Sequence, residues 1–217
     1  MLDNTFMNLY WKQFLMIEKE FRKSVQCVSL SNDNLETYSD FFSKIILQVG
    51  SEVDVLAKVL CKEINAASTT NSIEKYKRVI LKTYPEIERL TVSCNDIDII
   101  PWKDWSNTSP LWWKVYNGIK HNRADKETYD GITKENYKFA SLKNAITSLA
   151  GLYVLEIYLY NNVTDSITNI DTPIPRSRLF KAIDQGWENK RFFNDSSLFF
   201  DDWRLVYVES DLLYGDL

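Results

Sequence analysis

Histidine is almost missing from this chain: one, His121, stands among 217 residues. One imidazole cannot be acid and base in the same step, and two copies facing each other in a dimer would supply that pair. Cysteine is also sparse. Cys27, Cys61 and Cys94 are widely spaced, odd in number and without a CxxC pair. Together with one histidine they cannot build a usual zinc site, and they read as reduced thiols of a cytosolic protein. Cys27 and Cys61 fall within helical patterns, where buried cysteine is common. Six Gly and five Pro leave no room for long disordered or collagen-like stretches.

Other absences narrow the function. The net charge of -4 argues against nucleic-acid binding through bulk charge, although a local basic patch remains compatible with it. The N-terminal "MLDNTFMNLYWKQF" lacks the basic region and apolar run of a signal peptide. The most apolar stretch, "AITSLAGLYVLEIYLY", is short for a membrane span and carries Glu156. No P-loop, GxGxxG, HExxH or GxSxG occurs. The expectation is a cytoplasmic protein with no membrane contact, no cofactor and no metal site.

What the chain does contain is helical periodicity. Phe6, Leu9, Tyr10, Phe14, Ile17, Phe21 and Val25 recur at spacings of three and four, with Gln13 the polar member, predicting a helix over 6–28. "SLSNDN" ends it. Phe42, Ile45, Ile46, Val49, Val53, Leu56, Ala57 and Leu60 predict a long helix over 37–65 with Gly50 in its middle. A shorter helix over 74–84 stops at Pro85. "DIDIIPWKDW" allows a short strand or edge. Ser109 as N-cap and Pro110 at the first position predict a helix running to Arg123. "ADKETYDGIT" reads as a polar connection, and 136–161 as a last long helix, apolar nearly all round. The predicted architecture is mainly α: an antiparallel helical bundle over 1–161, then an irregular C-terminal extension over 162–217 that packs on it. In the extension, "RFFNDSSLFFDDWRLVYV" suggests two short aromatic strands, a small β-hairpin.

The stretch "WWKVYNGIKHNR", residues 112–123, concentrates the polar chemistry. On a helix, Lys114, Asn117 and His121 line up, and Tyr116, Lys120 and Arg123 form the adjacent stripe. Lys and Arg neutralise phosphate oxygens, Asn can orient a ligand, and an imidazole can exchange protons near neutral pH. A phosphodiester fits such a face. The plainer alternative is an imidazole that partners the C-terminal carbonyls of its own helix. Trp112, Trp113 and the 115–119 segment read as packing residues in either case. Glu52, in "SEVD" beside Gly50, either pairs with the basic stripe or is a surface acid. The acids of "FFDDW" lack a second pair at metal-binding spacing.

A helix carrying "YNGIKHNR", followed by a polar loop and a long apolar helix, and preceded by "SEVDVLAKVLC" in an early long helix, resembles the HEPN superfamily over residues 6–161. The resemblance implies a metal-independent endoribonuclease or toxin of a bacterial toxin–antitoxin or phage-defence system. It also implies a homodimer whose two motifs face one cleft, with RNA as substrate and an antitoxin or other protein as a further partner. Carried over, His121 matches the motif histidine and Asn117 the polar residue after the motif arginine. The arginine itself is absent: Tyr116 stands at its distance, with Lys114 further back. Lys114, Lys120 or Arg123 would have to supply the phosphate-binding charge, with His121, Asn117 and Tyr116 at the reacting centre. The departure keeps a second expectation open, a catalytically inactive HEPN-like module that binds RNA, a nucleotide or a protein, or dimerises.

Overall fold

The computed structural model describes residues 3–164 and 172–182. Helices dominate it. Helix α1 (Asp3–Phe6) passes through a π-helical segment, Met7–Trp11, into α2 (Lys12–Ser24) with helical backbone at both joins. The π turn changes which side chains reach the core. Trp11, five residues after Phe6, is buried, whereas Leu9 of the expected stripe is 59% exposed. The rod ends earlier than the periodicity implies. The amides of Cys27 and Val28 fold back onto the Ser24 carbonyl, and Cys27 is exposed instead of being buried in a helix.

Helix α3 (Asp40–Ile64) begins at Ser39, whose side chain accepts a hydrogen bond from the Phe42 amide at 3.1 Å. Its expected apolar face is buried from Phe42 to Leu60. Helix α4 (Ile73–Thr83) is stopped as expected, and Pro85 opens a 3-10 turn, Pro85–Glu88. Helix α5 (Leu111–His121) carries the polar motif, and α6 (Leu142–Val163) is the most deeply buried element. Helix α6 starts later than predicted. Residues Asn136–Phe139 form a separate 3-10 turn, and Ser141 caps α6 by accepting from the Asn144 amide at 3.3 Å. Helices α3 and α6 form the principal pair, and α2 and α5 pack on both. Among the described residues no helix is long and apolar enough to cross a membrane.

Two small antiparallel arrangements complete the fold. Strands β1 (Val92–Cys94) and β2 (Ile97–Ile99) form a hairpin with Val92 opposite Ile99, so the short strand expected near "DIDII" is present. Strands β3 (Lys126–Tyr129) and β4 (Ile132–Glu135) form a second hairpin where a polar connection was expected. Its turn is Asp130–Gly131, both at positive φ (51° and 78°), as a two-residue hairpin turn demands. Strand β5 (Lys181–Ala182) joins the free edge of β1. The segment 172–182 is therefore a strap across the bundle. Trp11 Nε1 donates to the Pro175 carbonyl at 2.7 Å, and the Phe180 ring packs against Tyr153 and Phe14. The aromatic strands predicted within 191–208 lie outside the described residues.

The clustered tryptophans belong to the core. Trp102, Trp105 and Trp112 are almost fully buried, with the Trp102 ring centroid 4.2 Å from that of Trp105 and 5.1 Å from that of Trp112. Trp102 Nε1 donates to the Gly151 carbonyl and Trp112 Nε1 to the Pro101 carbonyl. This packing brings α5 close to α6: a Cβ built on Gly151 would lie 2.9 Å from Trp112 Cζ2.

Candidate functional site at the end of the fifth helix

Helix α5 begins at Leu111, one residue later than expected. Ser109 does not cap it. Its hydroxyl donates instead to Glu74 of α4 at 3.0 Å, and the Pro110 carbonyl accepts the amides of Trp113 and Lys114. Trp112, Trp113, Val115, Tyr116, Gly118 and Ile119 face inward. Lys114 and Asn117 are half-buried, and Lys120, His121 and Arg123 are exposed. The two polar stripes drawn from helical spacing are thus treated differently. One rises from Lys114 past Asn117 to His121 at the surface. The other begins inside, at Tyr116.

Tyr116, the residue that the HEPN resemblance sets at the arginine's distance, is 5% exposed and its ring lies against Gly50 of α3. Its hydroxyl accepts a hydrogen bond from Lys120 Nζ at 3.0 Å, and the ammonium sits 5.2 Å from the ring centroid. That hydrogen bond, with the field of Asp54 assisting, raises Lys120 above the ordinary lysine range and keeps it cationic. Tyr116 thereby positions a charge from a ring that is itself buried. Asn117 is also engaged within the helix, donating from Nδ2 to the Trp113 carbonyl at 3.1 Å.

The acid associated with the stripe is Asp54, in the same "SEVD" stretch as Glu52. Asp54 follows Gly50 by one helical turn, and it accepts from the Tyr76 hydroxyl at 2.9 Å and from Lys58 at 3.5 Å. Glu52 serves elsewhere. It is half-buried, burial raises its carboxyl, and its field acts on Glu156 of α6. Glu156 is buried, its Oε2 has no hydrogen-bond partner among the described residues, and desolvation pushes it well above the ordinary carboxylate value. An acid pair that favours protonation thus lies where a support for the basic stripe was expected.

The far end of α5 is buttressed by the β3–β4 hairpin and the turn after it. The Asn122 amide closes the helix on the Gly118 carbonyl. Asn136 Nδ2 donates to the Asn122 carbonyl at 2.8 Å, and the Tyr137 amide donates to the Arg123 carbonyl at 3.1 Å. Asn136 packs so tightly on Gly118 that a Cβ there would lie 2.6 Å from its Oδ1. Tyr129 Oη reaches the Lys114 carbonyl at 3.5 Å. The carbonyls of Gly118, Asn122 and Arg123 are thus engaged by backbone amides and Asn136, and among the described residues no hydrogen bond engages the His121 imidazole. The result is an exposed imidazole at a rigid corner, flanked in sequence by Lys120 and followed closely by Arg123.

Two parts of this site, the hairpin and Asp54, were not expected from the sequence. The hairpin had a signal, the Asp130–Gly131 dipeptide. Asp54 had a weaker one, its one-turn spacing from Gly50. Comparison of the chain with protein-family models, with curated proteins and with solved structures finds no match.

Proposed function

We propose that this chain is a HEPN-like, metal-independent endoribonuclease of the toxin or phage-defence type, acting as a homodimer with His121 at a composite site. The observation that carries the reading is the His121 imidazole, exposed at the end of α5 and unengaged by hydrogen bonds among the described residues, beside a lysine held in place by Tyr116. One imidazole takes the proton of an RNA 2′-hydroxyl as that oxygen attacks the adjacent phosphorus. The imidazolium of the second copy gives a proton to the departing 5′-oxygen as its bond to phosphorus breaks. The products carry a 2′,3′-cyclic phosphate and a 5′-hydroxyl. Lys120 and Arg123 neutralise the phosphate oxygens, and Lys114 supports them from further back along the helix. In this reading Asn117 and Tyr116 act by position, one within the helix and one through Lys120.

A mixed pool of single-stranded RNA, incubated with the protein in a chelator, tests the chemistry. Cleavage to cyclic-phosphate and 5′-hydroxyl ends supports it. Products with 5′-phosphate ends contradict it.

The burial of Tyr116 favours a second reading. No planar guanidinium can fork onto phosphate from that position, so the same corner would bind RNA, a nucleotide or a protein, or dimerise, without cutting. A dimer that retains RNA intact supports that reading over the first.

A further inference from the structure

We propose that the groove between α2 and the strap 172–182 binds the phosphate backbone of single-stranded RNA, as a second site apart from α5. The groove has a volume of about 380 Å³ and shares no lining residue with the α5 corner. Its walls are cationic on both sides. Helix α2 contributes Lys12, Lys19, Arg22 and Lys23, and the strap contributes Arg176 and Arg178. Against a chain of net charge -4, six cations around one groove are a strong local reversal.

Among the described residues neither acid in the lining forms an ion pair with Lys12, Lys19 or Lys23. Glu20 forms an ion pair with Lys44 of α3 at 2.8 Å. Glu18 is 2% exposed and turned to the strap, where one oxygen accepts the amides of Arg178 at 2.6 Å and Leu179 at 2.9 Å. Burial raises the Glu18 carboxyl, and the strap hydrogen bonds and Arg22 oppose that rise.

The strap is well anchored. Trp11 holds the Pro175 carbonyl, Ser177 Oγ accepts the amides of Leu179 and Phe180, and β5 pairs with β1. Arg176 and Arg178 therefore add their positive charge to the groove from a fixed backbone, while the lysines of α2 supply the exposed ammonium groups.

The arrangement favours an extended polyanion. From Lys12 to Lys23 the helix advances about 16 Å, so one phosphate monoester would engage only a few of the cations. The lining also holds apolar side chains, Leu15, Met16 and Pro175, and Met16, 57% exposed, stands on the same helical stripe as Lys12, Lys19 and Lys23. Unpaired bases have apolar faces to lay against these side chains, and an extended strand carries a phosphate with each base. A bilayer surface would meet the rim, because the strap stands beside α2 and makes the site concave.

This proposal does not depend on cleavage at His121. Its test uses the full chain carrying His121→Ala, so no strand is cut, and a short fluorescein-labelled oligouridylate read by anisotropy across a salt series. Lys12→Glu with Lys19→Glu should weaken binding about tenfold or more. The slope of log affinity against log salt should fall by about 1.4, at ~0.7 per cation lost. Lys62→Glu with Lys103→Glu, an equal charge change at exposed positions outside the groove, should leave the slope unchanged. Lys12→Arg with Lys19→Arg should retain binding. Equal weakening by both glutamate pairs would assign the effect to bulk charge and overturn the proposal. So would failure of the parent protein to bind oligouridylate while it binds polyglutamate or phosphatidylserine vesicles.

Discussion

The Tyr116 ring occupies the space where a side chain on Gly50 would begin, so α3 and α5 approach each other through a glycine and an aromatic face. Gly50 sits in mid-helix, where alanine would ordinarily stabilise by about 1 kcal/mol. Here the contact outweighs the propensity. The obstructing atoms are the inner ring carbons of a buried tyrosine, which cannot swing aside cheaply. Gly50→Ala should therefore destabilise by about 1–3 kcal/mol, read as a lower urea midpoint. A raised midpoint would show that the ring is free to move.

An arginine at position 116 should not create activity. Tyr116→Arg would place a guanidinium against Gly50 in a buried position whose neighbour across the turn is already the cation Lys120. We expect a stability loss of roughly 3 kcal/mol, on the scale of a poorly compensated buried charge, and no gain in RNA cleavage. Equal stability with faster cleavage would mean that position 116 can face the substrate.

Glu156 makes the fold sensitive to pH in an unusual direction. Its native carboxyl is raised above the ordinary 4.5 by desolvation first and by Glu52 second. Below the ordinary value both states hold the proton, and the group makes no difference. As pH rises past it, the unfolded chain loses the proton while the native chain keeps it, so stability falls with pH until the native group ionises. Glu156→Gln should stabilise the protein by an amount that widens from mildly acidic pH upward. Denaturant titrations at several pH values, giving parallel curves for both proteins, would contradict this.

The strap should depend on Glu18. Glu18→Leu removes the acceptor of two backbone amides and leaves them to open to water. Limited trypsin digestion should then cut after Arg176 and Arg178 on the order of tenfold faster, matching a ~1.4 kcal/mol loss of local stability. Glu18→Gln keeps an acceptor oxygen and should preserve protection. Unchanged digestion of the leucine variant would show that Trp11 and Phe180 hold the strap without it.

Long helices were legible in this sequence because their buried faces recur every three or four residues, as from Phe42 to Leu60 in α3. The π turn was not, since it moves Trp11 into the core and Leu9 out of it without altering composition. The β3–β4 hairpin was missed because Lys126, Glu127, Thr128 and Thr133 are all exposed, leaving no apolar alternation to mark the strands. At the site, the alignment of Lys114, Asn117 and His121 followed from helical spacing, and Trp112 and Trp113 were already legible as packing residues. The link from Asp54 through Tyr76, and the inward turn of Tyr116, depend on three different helices and have no local signature.

The central claim is that the exposed imidazole at the end of α5 carries out RNA cleavage. The measurement that tests it most directly compares the wild-type protein with His121→Ala on a mixed RNA pool in EDTA, with both folds checked by circular dichroism. Cleavage by the wild type alone is the expected result. Equal cleavage by the variant would contradict it and move the chemistry away from α5.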